Sequence, residues 1–131
     1  MKKIDSILAM AGIVVSVGAA VNVSAATYKG YDVHIPKLGS MTTGTIKKTT
    51  TGSAYNKVGT IGGSSTVVMA IRTTSNNANV TSTRQTSKDD STVTLDYKAA
   101  STVKGKNTTL ALSTPLLELS SVHNTGSWTP N

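Results

Sequence analysis

The chain has 131 residues, no cysteine, no phenylalanine, one tryptophan and a formal net charge of +7. Its length suits a single domain, and disulfides are excluded. With 4% aromatic residues, it lacks the basic surface interleaved with stacking rings that single-stranded nucleic acid requires.

In chain order, the first 25 residues read as a secretory leader. Lys2 and Lys3 form a positive start, Ile7 to Val21 is uncharged and largely apolar, and Val23-Ser24-Ala25 supplies small residues. Cleavage is expected after Ala25, with Ala26 as the second choice. The apolar run is about 15 residues, short of the roughly 20 a spanning helix needs. Asp5 is an unusual acid in such a start. The domain is then 26–131, with no membrane span once the leader is gone. Without cysteine no lipid attachment is expected at the leader, and the sequence shows no LPxTG-like sorting motif. The product is expected to be secreted, either released or held non-covalently at the envelope. Cysteine-free export is a habit of Gram-positive bacteria, the expected source.

Tyr28 to Ile35 alternates, with Tyr31, Val33 and Ile35 on one face and Asp32 and His34 on the other; Pro36 ends it, as suits an edge strand. Met41 to Thr51 is a threonine-rich strand. Its Lys47-Lys48 pair puts one charge on each face, so one of them points out at an edge or snorkels. Tyr55 to Ile61 closes at Gly62-Gly63. Ser65 to Thr74 contains the longest apolar run outside the leader, Val67 to Ile71, and reads as a central strand covered on both sides.

Asn76-Asn77 is a turn pair, and Val80 to Thr86 returns as a polar strand with Arg84 exposed. Ser87 to Ser91 reads as a hairpin connection into Thr92 to Tyr97, where Val93, Leu95 and Tyr97 share a face. Lys98 to Thr102 is a loop or helical turn, and Lys104 to Asn107 a turn. Thr108 to Ser113 alternates Leu110 and Leu112 against Thr109 and Ala111; Pro115 breaks it. Leu116, Leu117 and Leu119 with Glu118 form a short apolar stretch without clear period. The last strand, Ser121 to Pro130, places Val122, Asn124, Gly126 and Trp128 on one face, with a bulge expected at Gly126. Seven or eight short strands about ten residues apart make an all-β sandwich, immunoglobulin-like or jelly-roll-like. Its core is expected to join Val67, Met69 and Ile71 with Val93, Leu95, Leu110, Leu112 and Trp128.

The stretches TVTLDYKAAS and KGKNTTLALS, closing in GSWTPN at Gly126 to Asn131, resemble a loose group of small secreted Gram-positive β proteins. These end in Gly-x-Trp-Ser/Thr-Pro-Asp/Asn. The resemblance implies a secreted β-sandwich and no catalytic or ligand-binding residue.

Residues that carry chemistry are sparse. Asp89-Asp90 lies in a turn, where side chains are solvated, and Asp32, Asp96 and Glu118 lie at outward or ambiguous positions, so a two-carboxylate hydrolytic site is not expected. His34 and His123 share a side only if the first and last strands are neighbours; exposed strand histidines are the expectation, with no metal or other cofactor. No serine-nucleophile motif, P-loop or dinucleotide fingerprint is present. A Lys–Asn isopeptide bond has its residue types in Lys29 or Lys37, Asn124, and Asp96 or Glu118, but lacks the aromatic surroundings.

The chain is therefore expected to be non-enzymatic and to act by surface contact, as an envelope-associated binding or structural module. Its partner would be an anionic cell-wall polymer or another envelope protein. Polyanion contacts would come from Lys47, Lys48, Arg72, Arg84, Lys104 and Lys106. The alternative is a bacteriocin-like antagonism factor or its immunity companion, although no membrane-active amphipathic helix is present.

Overall fold

The computed structural model describes residues 27–62, 65–115 and 121–131. Ala25 and Ala26, at the expected cleavage point, lie outside the described residues, as do Gly63, Leu116, Leu117, Glu118 and Leu119. The elements are β1 (Lys29–Ile35), β2 (Ser40–Lys47), β3 (Ala54–Ile61), β4 (Val67–Thr73), β5 (Arg84–Thr86), β6 (Ser91–Leu95), α1 (Ala100–Val103), β7 (Asn107–Ser113) and β8 (Val122–Thr129).

They form two four-stranded antiparallel sheets, ordered β1-β8-β3-β6 and β2-β7-β4-β5. In both sheets the outer ladders join strands that mirror one another about the middle of the chain: β1 with β8, β2 with β7, β3 with β6 and β4 with β5. The ladders β3–β8 and β4–β7 then close each sheet. A long antiparallel ribbon rolled up on itself has this order, so of the two expected sandwiches the chain is the jelly roll.

The strand facings follow from alternation. Tyr31 and Ile35 of β1 are buried and Val33 is half-buried, while Asp32 and His34 are exposed. Val67, Met69 and Ile71 join Val93, Leu95, Leu110, Leu112 and Trp128 in one cluster between the sheets. In β4, Ala70 on the opposite face is also buried and Val68 half-buried, as expected of a strand flanked by β7 and β5. At roughly 25 cal/mol per Å² of apolar area removed from water, this cluster carries most of the folding drive, since large side chains are few.

The structure corrects three expectations. The ladder of β5 is only Arg84 to Thr86. Val80 and Thr81 instead stitch the end of β4 toward β6: Val80 N–H donates to Ile71 O (2.9 Å), Ile71 N–H donates to Thr81 Oγ1 (3.0 Å), and Thr81 bridges Tyr97. The Ser87–Ser91 turn does not make a hairpin, because β5 and β6 belong to different sheets. Locally it is a good reversal, with Asp90 at φ 52°, but its anchors lie on β3. Asp90 N–H donates to Gly59 O (2.9 Å) and Ile61 N–H to Asp89 Oδ1 (2.9 Å). These bonds pull the following strand onto the opposite sheet.

The third correction concerns the bulge. It falls in β3 between Val58 and Thr60, opposite Gly126 and Thr125, and not in β8. Gly126 has a different task. The Tyr31 ring crosses over it from β1 to reach β3, where Tyr31 Oη donates to Asn56 Oδ1 at 2.9 Å. Asn56 Nδ2 donates to Met69 Sδ at 3.2 Å, which ties the sheets together, and Asn124 Nδ2 donates to Thr60 O at 2.8 Å. Burial pushes the Tyr31 phenol up to about 12, against the lowering effect of its asparagine bonds.

Candidate functional site

One end of the sandwich collects the β2–β3, β4–β5 and β6–β7 connections. Lys47, the last residue of β2, pairs with Asn107, the first of β7. Beyond it, Lys48 N–H donates to Lys106 O (3.0 Å) and Gly105 N–H donates to Lys48 O (2.7 Å). The Lys104–Lys106 turn is thereby docked beside Lys47. Gly105 has φ 88°, a conformation that other residues rarely adopt and the reason glycine stands there. The helical turn α1 feeds this corner: Lys104 N–H donates to Ala100 O and Lys106 N–H to Val103 O, and Val103 is buried beneath.

The three side chains Lys47, Lys104 and Lys106 are exposed. Arg72 lies near the same end of β4, paired with Thr109, and its Nε donates to Asn79 Oδ1 at 2.8 Å. Among the described residues, Asp96 is the acid at this end, where its Oδ1 accepts from Ser53 Oγ at 2.6 Å. Asp89 and Asp90 sit at the opposite end, on the β5–β6 connection, and Asp32 is on the outer face of β1. At the lysine end Lys47, Lys104, Lys106 and Arg72 outnumber Asp96, whereas at the opposite end Lys88 stands beside Asp89 and Asp90, so the positive field is stronger at the lysine end.

The structure removes Lys48 from the polyanion contacts, since it is 0% exposed. Its ammonium donates to Gly52 O (2.5 Å), Asn131 O (3.0 Å) and Pro130 O (3.3 Å), and it lies 4.2 Å from the centre of the Tyr97 ring. Tyr97 Oη donates to the same Pro130 O at 2.9 Å. Burial lowers the Lys48 amine to about 8. Strand alternation carries the reason: with Lys47 turned out, Lys48 must turn in. This lysine joins the β2–β3 connection to the end of the chain and is internal architecture.

Arg84 is exposed on β5, away from the lysine end. Its Nη1 donates to Thr94 O at 3.2 Å and bridges the two sheets along their open edge. Another edge is covered by the Lys29 side chain, whose end lies over Gly44 of β2. Lys29 pairs with Trp128 whereas Asn124 pairs with Val33 and turns inward, so Lys29 and Asn124 are not set for an isopeptide bond.

The outer face of the β1–β8 ladder assembles what spacing alone left apart. His34 and His123 are direct partners in the register, and their rings stack at 4.3 Å between centroids with 4° between planes. Asp32 Oδ1 stands 2.6 Å from His123 Nε2. The signal for this was the placement of Asp32 and His34 on one face of β1; the pairing with β8 was not readable. Farther along the same face, the Lys57 ammonium lies 4.1 Å from the centre of the Tyr28 ring, and burial lowers the Lys57 amine.

Fold and surface together define the class: a small all-β jelly roll with a lysine-rich end and a histidine pair on one outer face. No protein-family model, curated protein or solved structure matches the chain. No helix among the described residues is long and apolar enough to cross a membrane.

Proposed function

We propose that the protein is an exported, non-enzymatic module that acts by surface contact and holds to anionic polymers of the cell envelope through its lysine end. The observation that carries this reading is the convergence of Lys47, Lys104 and Lys106, exposed and bonded into one corner, while Asp89, Asp90 and Asp32 stand elsewhere. Three ammonium groups on a rigid corner suit a repeating phosphate or carboxylate chain, which needs charge spacing rather than a deep pocket. The leader, the basic balance and the resemblance of the tail to small secreted Gram-positive proteins support the same reading.

The test is sedimentation with purified cell walls across a salt series. The protein is expected to pellet at low salt and to be released as screening rises, since the Debye length falls from about 30 Å at 0.01 M to about 3 Å at 1 M. A combined Lys47→Glu, Lys104→Glu, Lys106→Glu variant is expected to lose about tenfold or more in wall affinity while keeping its thermal midpoint. Wild type that stays in the supernatant at low salt, or a triple variant that pellets equally well, would overturn the proposal.

A further inference from the structure

We propose that His34 and His123 form a two-nitrogen site for a borderline transition-metal ion, Cu2+, Ni2+ or Zn2+, with Asp32 orienting His123. The site lies on the outer face of β1 and β8, away from the lysine end, and is independent of polymer binding.

Three observations lead there. The register makes His34 and His123 directly opposite residues on adjacent antiparallel strands, both exposed. Such partners have their Cβ atoms about 5 Å apart, a span that two imidazoles bridge with one ion between them. The rings already meet face to face at 4.3 Å; chelation exchanges that stack for a splayed pair, which exposed rings reach by turning about their own side-chain bonds. Finally, Asp32 Oδ1 lies 2.6 Å from His123 Nε2. A carboxylate on one ring nitrogen fixes the tautomer and leaves the other nitrogen, Nδ1, with a free lone pair. Metal-binding histidines are held by the same arrangement.

Among the described residues no set of three histidine, aspartate or glutamate side chains is arranged to enclose an ion. The site is therefore an open clip, with water completing the coordination. Imidazole nitrogens select copper, nickel and zinc over magnesium and calcium, which require oxygen ligands. A bound ion would tie β1, which pairs only with β8, to its single neighbour, and would stabilise the native state by mass action.

Titration calorimetry and thermal melts with the chlorides of Cu2+, Ni2+, Zn2+ and Mg2+ test this. One ion per chain is expected for the first three, each raising the melting temperature, with no response to Mg2+. His34→Gln and His123→Gln should each abolish binding. Asp32→Asn should weaken it by about 10-fold or more. If a histidine variant fails to fold, selective broadening of the imidazole C–H resonances of both histidines in wild type by Cu2+ or Ni2+ identifies the same ligands. Absence of saturable binding up to about millimolar metal, or binding that survives both single histidine variants, overturns the site. An unchanged affinity in Asp32→Asn overturns the role given to the carboxylate.

Discussion

Lys48→Ala is expected to lower the unfolding free energy by about 3 kcal/mol, a large share of the roughly 5–15 kcal/mol typical of a domain. The substitution deletes a fully buried ammonium and removes the donor shared by the backbone oxygens of Gly52, Pro130 and Asn131, of which the bond to Pro130 O is buried and the other two are partly buried. It also removes a cation from the face of Tyr97. Equilibrium urea unfolding reads the effect. Lys48→Met, which keeps the packing of the stem, separates the loss of the donor from the loss of volume. A midpoint unchanged in both variants would mean that the lysine contributes nothing to holding the chain end.

The same residue makes stability depend on pH with a definite sign. The folded amine titrates at about 8 and the unfolded one at 10.5. Between these values the unfolded chain binds more protons, so this group makes stability rise with pH across that window and leaves it constant below. The stability gap between wild type and Lys48→Met is therefore expected to widen from about pH 8 to pH 10.5. A gap that narrows would show that the carbonyl cage outweighs desolvation and keeps the proton on.

Gly126→Ala is the second large effect. A methyl group at residue 126 would lie 2.5 Å from Lys57 O and 2.7 Å from Tyr31 Oη. One obstacle is backbone and cannot swing aside. The other is the phenol that reaches Asn56 across the strand. Overpacking of this kind costs about 1–3 kcal/mol, and displacing Tyr31 adds an unpartnered Asn56 oxygen in the core, about another 1–3 kcal/mol. Thermal unfolding of Gly126→Ala should show a strong drop, partly recovered by adding Tyr31→Phe, which relieves the contact with the hydroxyl. A variant as stable as wild type would mean that the Tyr31 crossing is not a constraint on β8.

Much of this molecule was legible in its residues. Alternation placed Tyr31 and Ile35 inward and His34 outward, the apolar run Val67 to Ile71 marked an interior strand, and Lys47-Lys48 put one charge on each face of the threonine-rich strand. The misreadings share a cause. The Ser87–Ser91 turn has the local chemistry of a hairpin, yet bonds from Asp89 and Asp90 to β3 send the next strand to the other sheet. Gly126 reads as a bulge signal, yet the extra residue is in the partner strand and the glycine makes room for a tyrosine from a third. In each case the deciding atoms are distant in sequence.

By itself, the sequence determined an all-β sandwich, the facing of β1, β4, β6 and β7 and the larger part of its core, though not Ala54, Val58 and Ile61 of β3, because period-two alternation and turn chemistry are local properties of the chain. The tertiary structure decided the order of the strands, the burial of Lys48, the gathering of Lys47, Lys104 and Lys106, and the meeting of Asp32, His34 and His123. These depend on non-local pairing. Hydrogen bonds between strands 25 to 91 residues apart are selected by the packing of the whole roll, and no window along the chain encodes them.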